Sequence, residues 1–97
     1  MVTIQEARTL LEQFFAAHPP AVSGELYIAP EWYEDATDYL PVWGAREFLV
    51  EGREAFARWD NRVIFINKET GEVHEGLRNL HAKKVRAMTP VAAAQAG

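Results

Sequence analysis

The run Arg62-Val63-Ile64-Phe65-Ile66-Asn67-Lys68-Glu69-Thr70-Gly71-Glu72-Val73-His74 decides the fold. Val63, Ile64, Phe65 and Ile66 are β-formers in succession. Asn67 to Gly71 supply a turn, with Gly71 placed to take the left-handed backbone that a side chain resists. Glu72, Val73 and His74 return as a second strand. An antiparallel hairpin thus stands in the second half of a 97-residue chain, and the remaining segments must cover it.

Upstream, Thr3 followed by Glu6 is a capping box, in which the hydroxyl and the carboxylate satisfy each other's backbone N–H groups. Ile4, Ala7, Leu11, Phe14, Phe15 and His18 then fall on one face of a 3.6-residue period. Pro19-Pro20 stops it, so the spacing predicts a helix over 3–18. Ser23-Gly24 is a turn signal. Residues 25–29 read as a short strand, and the acidic stretch 31–37 as a loop or hairpin tip. The aromatic-rich residues 38–44 read as one further strand, with Pro41 placing it at an edge or a bulge. Residues 45–60 give a strand end or short helix and then an irregular stretch. Downstream of the hairpin Gly76 is expected to break the chain. Leu77, Leu80, His81, Lys84, Val85 and Met88 predict a helix over 79–88, stopped by Pro90. Residues 91–97 read as a flexible tail. The expectation is one domain over 1–90: α+β, with an N-terminal helix, a three- to four-stranded antiparallel sheet, and a C-terminal helix packed on one face. The other face of such a sheet is expected to stay solvated.

Hydrophobic content of 48% with three Trp, three Tyr and five Phe describes a chain that folds rather than a disordered one. No cysteine is present, which removes disulfides and thiol chemistry and suits a reducing compartment such as the cytoplasm. Residues 1–12 carry no signal-peptide pattern, and no apolar run is long enough to span a bilayer. Charge is uneven: residues 1–60 hold eleven acids and four bases, a balance of −7, whereas 61–97 hold three acids and six bases, a balance of +3. A net charge of −4 disfavours nucleic acid as a partner and favours a basic protein.

The middle of the chain resembles the YrhB-like immunity-protein family of bacterial polymorphic toxin systems. The resemblance spans about residues 38–75 and is carried by three blocks. These are Ala45-Arg46-Glu47-Phe48-Leu49 with Glu51-Gly52 just after it, then Asp60-Asn61, then Asn67-Lys68-Glu69-Thr70-Gly71-Glu72-Val73-His74. The chain departs from the family pattern at Asp38-Tyr39, at Asp60-Asn61-Arg62 and after His74. The resemblance implies a small cytoplasmic protein that binds and blocks a cognate toxin. It also implies an alternative, since at least one member of that family is described as chaperone-like.

The expected partner-binding residues are Glu31, Trp32, Tyr33, Glu34, Asp35 and Asp38: acids steer a basic partner and exposed aromatics anchor it. The competing reading folds Trp32 and Tyr33 back onto the core. Trp43 and Trp59 are expected in the core, and Arg46 and Glu47 in an ion pair or an interface. Arg78, Lys83, Lys84 and Arg86 are expected on a solvated helix face, with RNA binding a minor reading. His18, His74 and His81 have no metal-ligand spacing, Ser23 lies in a turn, and no Gly-rich phosphate loop occurs. The expectation is therefore a non-enzymatic protein with no cofactor and no metal, acting off the membrane as a monomer or homodimer. The alternatives are a holdase, or a small adaptor dimerising through the edge strand that contains Pro41.

Overall fold

In the computed structural model, which describes residues 1–58 and 61–92, Thr3 opens helix α1, Ile4–Ala17. The Thr3 hydroxyl accepts from the Glu6 N–H at 3.1 Å, and the Glu6 carboxylate accepts from the Thr3 N–H at 2.8 Å. The backbone N–H of Thr3, and then its hydroxyl, hold the Glu6 carboxyl below its ordinary range. At the other end the His18 N–H reaches the Phe14 carbonyl at 2.8 Å, and Pro19 and Pro20 cannot continue the ladder. Ala7, Leu11 and Phe15, four apart, are buried as one stripe.

The strands are β1 (Leu26–Ile28), β2 (Glu31–Glu34), β3 (Asp38–Leu40), β4 (Trp43–Ala45), β5 (Arg62–Asn67), β6 (Val73–Leu77) and β7 (Thr89–Ala92). Among the described residues five of them form one antiparallel sheet in the order β6-β5-β3-β2-β7, and β1 pairs with β4 in a separate ribbon. The class is α+β, with more strands than the three or four expected. The β5–β6 hairpin has Ile66 opposite Val73 and Arg62 opposite Leu77. Asn67 shapes its turn by accepting the N–H groups of Glu69 and Thr70, each at 2.9 Å. Gly71 closes the turn at φ 78°.

Alternation along β5 sorts two cores. Ile64 and Ile66 point toward α1 and join Ala7, Leu11, Phe15, Trp32, Tyr39 and Trp43. Val63 and Phe65 point the other way and join Leu40, Met88 and Val85. Val85 belongs to α3 (Ala82–Ala87), which follows a 3-10 turn at Arg78–His81. The second sheet face is thus covered in part by α3, where an open solvated face was expected. Each of these large side chains contributes roughly 1.5–3 kcal/mol by leaving water.

Four further expectations are corrected. Residues 31–34 are not a loop but β2, the neighbour of β3 and β7. Residues 38–44 are not one strand: Pro41, which cannot donate to a ladder, marks the point where the chain leaves the large sheet as β3 and enters the ribbon as β4. Gly76 does not break the chain but lies within β6, opposite Val63, and a Cβ there would stand 2.7 Å from His81 Nε2. The stretch expected as tail begins in structure, since Val91 and Ala92 pair with Trp32 and Glu31 in β7. Pro90 is tolerated there because β7 is an edge strand. Residues 45–58 follow their expectation, with α2 (Arg46–Leu49) directly after β4 and then a 3-10 turn at Glu54–Phe56. Trp59 and Asp60, and tail residues 93–97, lie outside the described residues.

Candidate functional site

The acidic-aromatic stretch divides between core, clamp and surface. Trp32 is fully buried in the α1-side core, and its indole N–H donates to the Ala29 carbonyl at 3.0 Å. It is a core residue, where an exposed anchor had been expected. Period-two alternation sends its neighbours Glu31 and Tyr33 to the other face, where both are exposed, Tyr33 at 37%. Glu34 is half-buried and paired with Lys68 at 2.8 Å, whose ammonium also sits 4.9 Å from the Tyr39 ring centroid.

Asp35 and Asp38 hold α3. Asp35 Oδ1 accepts the N–H groups of Thr37 at 3.0 Å and Asp38 at 2.8 Å, which fixes the turn between β2 and β3. Lys84 then reaches down from α3: its Nζ lies 2.6 Å from Asp35 Oδ2, 3.0 Å from Asp38 Oδ2 and 3.2 Å from the Thr37 hydroxyl. The same ammonium lies 5.3 Å from the Phe65 ring centroid. Lys84 is therefore an internal clamp, not the solvated cation expected. Partial burial works against the charged form of Asp35. The Lys84 bond and the backbone N–H groups of Asp38 and Thr37 outweigh it and bring the carboxyl down to about 2. Burial likewise opposes the Lys84 charge, but the two carboxylates prevail and raise its value.

Asp38 is buried at 6% exposure, and its Oδ1 makes no hydrogen bond among the described residues. His74 Nε2 stands 3.6 Å from that oxygen. The His74 ring rests on Phe65 at 5.5 Å and the His81 ring at 5.2 Å, so both imidazoles flank the core on the face away from α1. His18 stacks on Phe14 at 5.1 Å, at the end of α1. Among the described residues no group of three or more His, Asp and Glu side chains is placed to hold a metal ion, and no helix is long and apolar enough to cross a membrane.

With Glu34, Asp35 and Asp38 neutralised by lysines, the unengaged acidic surface lies elsewhere. None of the four residues of α2 is buried, and Phe48 and Val50 are exposed at 37% and 51%. α2 packs beside the start of β1, where Leu26 is also exposed. Glu25, Glu51 and Glu54, which neighbour these residues in sequence, are exposed. Glu47 makes no ion pair with Arg46; its Oε1 accepts the Glu25 N–H at 3.0 Å and pins α2 to β1. Arg46 lies over the Tyr27 ring at 5.9 Å. Arg53 lies over Phe56 at 4.7 Å and reaches Glu51 at 3.9 Å, an exposed pair of little energetic weight. The alternation Glu31-Trp32-Tyr33-Glu34 was the available sign that Trp32 points inward. No comparable sign marks α2, because its exposure depends on how β1 and β4 pair. Comparison of the chain with known protein families, with curated proteins and with solved structures returns no match.

Proposed function

We propose that this protein is an immunity protein that binds a basic toxin domain in the cytoplasm and blocks it by occlusion, without catalysis of its own. The observation that carries the reading is the exposure of the block resembling the immunity family. In Ala45-Arg46-Glu47-Phe48-Leu49 and its extension to Glu51, only Ala45 is buried, while Phe48 and Val50 stand outward and Glu25, Glu51 and Glu54 are also exposed. An apolar centre with a charged rim, here Glu25, Glu51 and Glu54 together with Arg46 and Arg53, suits a specific protein partner. The interface is accordingly assigned to α2 and the start of β1, with Glu31 and Tyr33 as the remaining accessible members of the stretch first singled out.

The test is capture by the tagged protein from its host lysate at physiological salt, followed by expression of the captured protein alone and with its binder. One stoichiometric partner, toxic alone and harmless when co-expressed, is expected, and Phe48→Ala or Glu51→Lys should weaken its retention at least tenfold. A broad set of clients growing on heating would instead favour a holdase, for which the exposed Leu77 and Leu80 offer apolar surface. A single partner retained equally by both variants would move the interface away from α2.

A further inference from the structure

Among the described residues four strand edges have no partner strand: β1 and β4 on the outer sides of the ribbon, and β6 and β7 at the two ends of the large sheet. β4 is buried along its length. At β1 the Arg8 guanidinium occupies the Ile28 carbonyl at 3.0 Å. At β7 the alternation is fixed by the Asp35 N–H, which donates to the Asp38 carbonyl across the β2–β3 turn. Tyr33 therefore bonds toward β3, Trp32 and Glu34 bond toward β7, and Pro90, opposite Tyr33, faces outward with no N–H to donate. β6 has nothing of the kind. The Asn67 N–H donates to the Glu72 carbonyl at 2.9 Å, and the Arg78 N–H to the Asn61 carbonyl at 2.7 Å. Between these two inward bonds the ladder alternates. His74 and Gly76 bond to β5, while the N–H and C=O groups of Val73, Glu75 and Leu77 face outward. The strand holds no proline, lysine or arginine, and its one carboxylate, Glu75, is paired with Arg62 at 3.1 Å. Glu75 and Leu77 are exposed, Leu77 at 47%.

We propose that β6 pairs with β6 of a second copy of this chain, antiparallel about a two-fold axis at Glu75, so that two five-stranded sheets become one. The order of the strand selects its own copy as the occupant. Two residues from Glu75 in either direction stands an apolar side chain with outward backbone groups, Val73 on one side and Leu77 on the other. Period-two alternation puts all three side chains on one face. The two-fold axis then sets Val73 of each copy opposite Leu77 of the other, and each outward residue exchanges both of its backbone bonds with its opposite number. The two Glu75 carboxylates meet across the axis, a like-charge contact that costs stability. Arg62 beside each of them lessens that cost. With a strand of five residues and this central contact, the association is weak and reversible. The inference rests on the strand edges alone and does not depend on the toxin reading.

The experiment is sedimentation equilibrium of the full chain from about 10 μM to 1 mM, together with amide hydrogen exchange read by NMR over the same range. A monomer–dimer equilibrium is expected. The amides of Val73, Glu75 and Leu77 should be protected in the dimer and not in the monomer, while His74 and Gly76, bonded to β5, stay protected in both. Leu77→Lys puts a charge on the exposed edge and should weaken association at least tenfold with circular dichroism unchanged. Glu75→Pro removes the central outward N–H without breaking the β5–β6 ladder and should abolish association. A chain that stays monomeric to about 1 mM would overturn the proposal. So would a dimer that leaves those three amides unprotected, or one that both variants leave intact. Protection of the same amides only by a captured foreign protein would also overturn it, and would make the edge a docking strand for another chain.

Discussion

Lys84 Nζ sits 2.6 Å from Asp35 Oδ2, joining residues 49 positions apart and tying α3 to the turn between β2 and β3. The six-residue α3 has no side-chain N-cap, and besides that bond it is held by Val85 within it and Met88 just after it, which pack on the core formed by Leu40, Val63 and Phe65. Helices this short are not stable by propensity. Lys84→Met keeps the stem over Phe65 and removes the ammonium. It leaves Asp38 a buried carboxylate with no lysine, so stability should fall by about 2 kcal/mol or more in urea denaturation. An unchanged urea midpoint would show that the clamp contributes nothing.

The clamp also sets a pH window. Asp35 titrates at about 2 in the folded chain, below the roughly 3.9 of an unfolded aspartate. Its contribution is therefore complete above the unfolded value and lost as pH falls toward 2. Lys84 is shifted upward, so its contribution is complete below about 10.4 and lost as pH climbs past it. Thermal midpoints of the wild type should decline at both ends, and Lys84→Met should decline less at each. Parallel curves for the two proteins would contradict the assignment.

Trp32 and Tyr33 are adjacent yet should behave oppositely. Trp32→Ala opens a cavity in the α1-side core and removes one of the two side-chain donors to the Ala29 carbonyl, at a cost of about 3–5 kcal/mol. Tyr33→Ala changes a side chain that is 37% exposed and should cost less than about 1 kcal/mol. Chemical denaturation of the two variants separates them, and comparable losses would mean that Tyr33 is more deeply engaged than its exposure indicates.

Gly71→Ala tests the hairpin turn. At φ 78° an alanine is strained, and its Cβ would stand 3.1 Å from Leu10 and 3.3 Å from Val2, both on or beside α1. The loss should exceed about 1 kcal/mol. Gly52→Ala shares the positive φ of 71° but has open space, so it should cost less. Equal unfolding midpoints for the two would remove the steric part of this argument.

What could be read from the chain was what neighbours in sequence determine. The Thr3–Glu6 box, the Pro19-Pro20 stop and the Asn67 to Gly71 turn depend on residues a few positions apart, and each appears where its chemistry requires. What could not be read depends on partners far along the chain. Asp35 and Asp38 look solvated until Lys84 is brought to them, and Glu34 until Lys68 is. The split at Pro41 is of the same kind: the proline was visible, but that it separates two sheets follows only from β4 finding β1 rather than β5. The proposed toxin-neutralising reading rests on short blocks, and which of those blocks reach the surface is again a matter of tertiary pairing.

Arg8 has a consequence for how this molecule behaves among copies of itself. Its guanidinium donates to the Ile28 carbonyl at 3.0 Å and the Ala29 carbonyl at 3.1 Å. Glu25 and Ala29 bond inward to β4's flanks, so the alternation of an antiparallel pair turns Ile28 outward, along an edge that no strand pairs with among the described residues. A bare edge of this kind recruits foreign strands. A guanidinium from α1 planted on the Ile28 carbonyl occupies the acceptor that an incoming strand would need there, which works against edge-to-edge pairing of two copies.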